Sequence, residues 1–446
     1  MVTTIDGKLR LEWVAPGELN RRNRNPRRHS SSQISKIARS MRAFGNNVPI
    51  LIDGKNLVIS GDARLQAAQR LGLETVPVIR LEHLTPEQAE AFGIADNRLA
   101  ELASWDDGTL GAIFQELAAV DLDFDLEVTG FSTTEIDLRI EGFSGGGAAA
   151  PDPADVLPDM PAQAAVTQPG DIWLLGRHRL LCGNALEEPA YAALMQGVLA
   201  RAVFTDPPYN VRIDGHATGN GTTHHREFAM ASGEMSPQEF TGFLSAALSQ
   251  LTRHSTDGSL HYICMDWRHQ TELLAAGQEV YRELKNLCVW VKDTPGMGSF
   301  YRSQHELVFV FKHSTAPHRN NVQLGQFGRN RSNVWTYPSV GGFGRQGEEG
   351  RLLSLHPTVK PVALVADAIL DCTARGDVVL DSFLGSGTTL MAAERVGRVC
   401  YGTEIDPLYA DTTIRRWQRF TGGQAMHART GVSFEQVAAE REAENV

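Results

Sequence analysis

No stretch of the chain approaches the roughly 20 consecutive apolar residues that a membrane span needs, and residues 1–6 lack the basic start and apolar run of a secretory signal. A membrane or secreted protein is therefore not expected, and the cytoplasm is. The five cysteines, Cys182, Cys264, Cys288, Cys372 and Cys400, form no CxxC pair. That excludes a readable zinc ribbon or disulfide framework and leaves each as an expected buried thiol. No repeat of fixed period marks a solenoid. An excess of positive charge is also missing: 42 Lys and Arg stand against 53 Asp and Glu, a net charge of -11, which argues against an indiscriminate polyanion binder.

What is present is an ordinary globular composition, 42% hydrophobic and 21% charged, over 446 residues. That length predicts two or three domains. Charge is unevenly placed. Arg21, Arg22, Arg24, Arg27, Arg28, Lys36, Arg39 and Arg42 form a block without an acid, whereas residues 82–141 hold fifteen acids against Arg98 and Arg139. The first reads as a basic face and the second as a solvated helical face. Residues 144–168, with a Gly run, an Ala run and four prolines, have linker composition. The expected divisions are 1–143, the linker 144–168, a main domain over 169–425 and an acidic tail over 426–446.

The first division reads as mixed α/β: a helix over 33–44 ended by Gly45, a hairpin from 48–52 and 57–59 about Asp53-Gly54, a helix over 63–71 ended by Gly72, and an extended run over 76–81. Thr85-Pro86-Glu87-Gln88 then supplies a capping box for a helix towards 103. In the main domain, strand-like runs at 202–205, 260–265, 287–291, 307–311, 378–380 and 399–402 alternate with helical patterns, which predicts a wound α/β sheet. Ser236-Pro237-Gln238-Glu239 caps a helix whose stripe Phe240, Phe243, Leu244, Ala247, Leu248 and Leu251 is core.

Two loops carry chemistry. Thr205-Asp206-Pro207-Pro208-Tyr209 follows a strand directly, at the carboxyl end of the sheet where open α/β folds bind ligands. Two prolines stiffen the turn, Asp206 is an acceptor and Tyr209 a flat face, a set able to hold a planar ring bearing an amine. Asp381-Ser382-Phe383-Leu384-Gly385-Ser386-Gly387-Thr388-Thr389 is a strand, glycine loop and helix. Leu390 stands where a dinucleotide fingerprint needs its third glycine, and the Walker lysine is missing, so a nucleoside ligand without pyrophosphate fits better. Glu404, at the end of the next strand, suits ribose hydroxyls.

Together with His356-Pro357-Thr358-Val359-Lys360-Pro361, these loops resemble those of the amino-group DNA methyltransferases, in the motif order of their beta class. The resemblance implies a Rossmann-like S-adenosylmethionine-dependent sheet. Asp206, Pro207, Pro208 and Tyr209 would hold a flipped base, and Asp381, Phe383, Gly385, Ser386, Gly387, Thr388 and Glu404 the cofactor, with His356, Thr358 and Lys360 at its methionine end. Gly183 is followed by Asn184 where the family tends to carry Asp. Asp at the first position of the catalytic loop is the family's tendency for adenine N6, against Ser for cytosine N4.

Arg302, Arg319, Arg329, Arg331 and Arg345 lie in a basic segment, 295–346, whose one acid is Glu306. It is the candidate reader of double-stranded DNA. His216, His224 and His225 are read as loop residues rather than metal ligands, and no metal is expected. Residues 9–100, through Asn25-Pro26-Arg27 and Ser60-Gly61-Asp62-Ala63-Arg64, resemble the ParB and sulfiredoxin-like fold, a smaller α+β domain. Asp62 stands where that family receives a triphosphate, and sulfiredoxin's cysteine is missing, so the basic block is expected to contact DNA.

The leading expectation is a site-specific adenine-N6 DNA methyltransferase. Cytosine N4, an RNA or protein substrate, and a ParB-like DNA-binding protein or nuclease with a methyltransferase scaffold stay open, as does a homodimer.

Overall fold

The computed structural model describes residues 10–22, 25–103, 105–120, 122–144, 152–158, 165–211, 231–293, 295, 300–322, 331–339 and 359–444. The chain forms two compact units, Met1–Gly146 and Gly147–Val446.

In the first unit, β1 (Leu11–Val14), β2 (Ile50–Ile52), β3 (Val58–Ser60) and β4 (Val76–Arg80) make a sheet of order β1-β4-β2-β3. The expected hairpin is the antiparallel pair β2–β3, while β2 runs parallel to β4. Helix Ser31–Phe44 starts two residues earlier than expected because Ser30 caps it, and the predicted Thr85 capping box opens helix Pro86–Ala100. Ile50, Ile52, Val58, Leu65, Ala68, Val76 and Val78 form the core. Helices Asp107–Ala119 and Thr133–Ser144 enclose a separate one around Leu110, Phe114, Leu126 and Ile136.

The acidic segment is not simply a solvated face. Arg39 pairs with Glu127 at 2.9 Å, Arg27 with Glu101 at 3.1 Å, and Lys36 donates to the Gly130 carbonyl at 2.7 Å. Folding brings the two charge blocks together, which the linear sequence keeps apart, and part of the basic face is thereby spent inside the unit.

The second unit is built on ten strands: β5 (Ile172–Leu175), β6 (His178–Cys182), β7 (Ala200–Thr205), β8 (Ser255–Met265), β9 (Glu283–Val291), β10 (His305–Lys312), β11 (Val334–Thr336), β12 (Val378–Asp381), β13 (Val399–Glu404) and β14 (Ala425–His427). Their order is β11-β9-β10-β8-β7-β12-β13-β6-β5-β14. β8, β7, β12, β13 and β6 are mutually parallel, and β10 lies antiparallel between β8 and β9. Successive strand residues face opposite sides. Ala202 and Phe204 therefore enter the core beside helix Val362–Leu370, whereas Val203 enters the core beside helix Pro237–Arg253. All five cysteines are free and buried, as expected.

Two expectations need correction. The described part of the linker stretch is packed into this unit: Ala154 and Val166 are buried, and the Asp411 carboxylate accepts from the Val166 and Thr167 N–H groups at 2.7 and 2.9 Å. The acidic tail is also structural, since β14 pairs with β5 and helix Phe434–Glu444 places Phe434 against Trp173 in the core. Composition misleads in both because a few apolar anchors suffice to dock a polar segment. Among the described residues no helix is long and apolar enough to cross a membrane.

Candidate active site

The parallel pairing of β7 with β12 sets the site, because both motif loops leave the carboxyl ends of neighbouring strands. Thr205 Oγ1 donates to Asp381 Oδ1 at 2.7 Å, joining the last residue of β7 to the last of β12. Burial pushes the Asp381 carboxyl up to about 6, despite hydrogen bonds from Thr389, Thr205 and the Phe383 N–H.

In the glycine loop, Gly385 N–H donates to Glu404 Oε2 at 2.7 Å and Asp406 N–H to Oε1 at 2.9 Å. Burial still drives Glu404 up to about 7, with the negative charges of Asp406 and Asp381 adding to it. Gly387 has φ 85° and opens helix Thr388–Arg395; a Cβ there would lie 2.6 Å from Thr413 Cγ2. A side chain there would have to displace the Thr413 side chain and would strain the backbone at a positive φ. Arg416, buried, clasps the Ser386 carbonyl at 2.9 Å and the Ala154 carbonyl at 2.7 Å, so the former linker stretch braces the loop. Phe383 leans on Phe243. Gly183 N–H donates to the Glu404 carbonyl at 2.9 Å, while Asn184 caps its own turn through the Leu186 N–H. A buried carboxylate at a strand end beside a glycine loop closed against side chains at Gly387 fits a nucleoside cofactor.

In the catalytic loop, Tyr209 Oη donates to Asp206 Oδ1 at 2.5 Å. Lys360 Nζ meets Asp206 Oδ2 at 2.5 Å, Glu306 Oε2 at 2.9 Å and Tyr209 Oη at 3.2 Å. Lys292 Nζ holds Glu306 Oε1 at 2.5 Å. Burial opposes the charges of Asp206, Glu306 and Lys360; pairing overcomes it at Glu306 and Lys360 but not at Asp206. Burial raises Asp206; the Lys360 charge pulls it back only in part, and Glu306's repulsion adds to the rise. Burial works on Glu306 as well, yet Lys360 and Lys292 together hold it at about 2. Lys360, desolvated but facing both carboxylates, stays protonated well above the usual lysine range.

The structure thus assembles Asp206, Tyr209 and Lys360 in one network, and sets Asp381, Gly385 and Glu404 in another one strand away. Glu306 and Lys292 were not singled out in the sequence. The available signal was an acid alone in a basic segment, heading the apolar run of β10. Arg331 is turned to Asp367 and Asp371, at 2.5 and 2.9 Å, and packs on Trp335, whereas Arg302 and Arg319 are exposed. Arg331 is thereby an internal brace, a correction to its reading as a DNA contact. His356, Thr358, Arg329, Arg345, His216, His224 and His225 lie outside the described residues.

The first unit holds a groove of about 760 Å³ whose lining includes Arg22, Arg27, His29, Gly61, Asp62, Arg64 and Asp96. Asp62, the carboxylate that stands where the resembled family receives a triphosphate, is gripped by Arg21 through two hydrogen bonds at 2.5 and 2.8 Å.

An α/β sheet with an Asp-Pro-Pro-Tyr loop beside a glycine loop and a strand-end acid defines an S-adenosylmethionine-dependent DNA methyltransferase. Residues 200–415 match the DNA methylase family of N6 and N4 enzymes, residues 6–97 the ParB N-terminal domain, and residues 109–169 the ParB-methyltransferase HTH domain. The chain thus carries a DNA methylase domain of the N6 and N4 family joined to a ParB-like N-terminal domain. Type II methyltransferase M2.MboI of Moraxella bovis is 27% identical over 232 residues, 49% of this chain and 81% of that protein. The ParB-like nuclease domain-containing protein YnaK of Escherichia coli (strain K12) is 39% identical over 83 residues, 19% of this chain and 95% of that protein. Among solved structures, PvuII DNA methyltransferase (cytosine-N4-specific) aligns with a TM-score of 0.41 at 15% identity, over 59% of this chain and 91% of that one.

Proposed function

We propose that the protein methylates the N6 amine of adenine in duplex DNA. The observation that carries this reading is the Asp206 carboxylate, held at the open end of β7 one strand from the glycine loop. An exocyclic amine is a weak nucleophile because its lone pair is delocalised into the ring. Asp206 and the Pro207 carbonyl accept its two N–H groups and favour a pyramidal nitrogen, Pro208 stiffens the turn, and Tyr209 lies against the flipped base. S-adenosylmethionine supplies the electrophilic methyl group. Gly385, Ser386, Gly387, Thr388 and Phe383 would form its cradle and Glu404 would accept from the ribose hydroxyls, while Asp381 orients the loop through Thr205 and the Phe383 N–H. Positioning and electrostatics supply the rate, without a covalent enzyme intermediate. Arg302 and Arg319 are the described candidates for phosphate or guanine contacts.

The test is transfer of radiolabelled methyl to unmethylated duplex DNA, followed by nucleoside digestion and mass analysis. N6-methyladenine is expected. N4-methylcytosine would overturn the base assignment and keep the mechanism, and absence of any methylated nucleoside would overturn the reading.

A further inference from the structure

The catalytic carboxylate is met by a cation it cannot keep. An ammonium at 2.5 Å cancels most of the charge with which Asp206 would polarise an incoming amine, and it competes at the same oxygen. The same Nζ already lies 2.9 Å from Glu306 Oε2, so a small shift transfers it from one carboxylate to the other. The two acids are layered. The Asp206 side chain is 22% exposed, Glu306 8% and Lys360 4%, so a base arriving from the open side reaches Asp206 first and leaves Glu306 behind the lysine. Glu306 is fixed by Lys292, itself 4.8 Å from the Trp290 ring centroid. Trp290 is held by its indole N–H to the Tyr337 carbonyl at 2.9 Å. Lys360 lies 5.6 Å from the Tyr209 ring and 5.9 Å from the Trp290 ring, an aromatic lining that receives a cation wherever it stands between the acids.

We propose that Glu306, anchored by Lys292, is a positioning residue that draws the Lys360 ammonium off Asp206 as the exocyclic amine enters, leaving the catalytic carboxylate free to accept from it. The proposal rests on the methyltransferase reading above, though not on the identity of the base, since adenine and cytosine both present an exocyclic amine.

The test uses the full chain and, once the methylated position is mapped, a duplex with 2-aminopurine beside it. Wild-type methyl transfer is established first, and its failure would sink the functional reading rather than this one. Glu306→Gln keeps the shape and removes the charge that competes for Lys360. We expect kcat to fall roughly ten- to a hundredfold, cofactor affinity to stay within about twofold, and the 2-aminopurine signal of base unstacking to drop. Without Glu306's repulsion, and with Lys360 retained on Asp206, the acid limb of the pH–rate profile should move to lower pH. Adding Lys360→Met to Glu306→Gln should give losses that do not multiply, because both changes act through the same ammonium. Glu306→Asp, which keeps the charge, should keep the wild-type acid limb even if its rate falls, and serves if the Gln variant folds poorly. A Gln variant with wild-type kcat and acid limb, a double variant whose losses multiply, or an acid limb that moves in the Asp variant would overturn the proposal.

Discussion

Replacing Glu404 with Gln should stabilise the protein at alkaline pH while weakening its hold on the cofactor. The carboxyl is buried at the end of β13 and titrates at about 7 in the folded chain against an ordinary 4.5. A group whose folded value is raised contributes stability below its unfolded value and loses it as the pH rises through the folded one, so the loss falls between about 4.5 and 7. A rise of that size corresponds to about 3 kcal/mol in all, of which about 2.5 kcal/mol falls between about pH 5 and about pH 8. A glutamine does not titrate, so the stability difference between variant and wild type should grow in the variant's favour by about 2.5 kcal/mol over that interval. Two constant terms, the amide's loss of one acceptor for the Gly385 and Asp406 N–H groups and any change in packing, cancel in the comparison. Urea unfolding of both full chains at the two pH values measures it, with the transition of the methylase unit followed by intrinsic fluorescence. A difference that is the same at both pH values would refute the argument that burial raises Glu404. Calorimetric titration with S-adenosylmethionine should show weaker binding to the variant at both.

Asp206→Ala should abolish methyl transfer, by about a thousandfold or more, while DNA binding measured by anisotropy is retained; residual transfer near the wild-type rate would remove Asp206 from the mechanism. Asp411→Ala leaves the Val166 and Thr167 N–H groups buried without an acceptor and should cost about 2–4 kcal/mol in urea unfolding. Gly387→Ala meets both a positive φ and Thr413, so cofactor affinity should fall well below wild type with little change in far-UV circular dichroism.

Each chemical loop was legible from its own residues. The run 202–205 followed by Asp-Pro-Pro-Tyr, and the run 378–380 followed by the glycine loop, announce strand, turn and ligand because backbone periodicity and special φ values are local properties. The capping boxes at Thr85 and Ser236 were legible for the same reason. The short strands β11 and β14 at the sheet's edges and β5 beside β14 were not, since three or four residues carry too little periodicity and owe their conformation to the partner strand. A linker that is strapped down by Asp411 and Arg416, and a tail that inserts Phe434 beside Trp173, look like solvated chain in composition alone.

Strands, caps, the two ligand loops and the family follow from neighbouring residues, so the chain determines them directly. Tertiary structure alone decided that β7 lies beside β12, bringing Thr205 to Asp381 across 176 residues. It also placed Asp206 and Glu306, far apart in the chain, on either side of the Lys360 ammonium. Charges separated in sequence interact only after folding sets their distance and removes the water between them, and both quantities belong to the packed molecule.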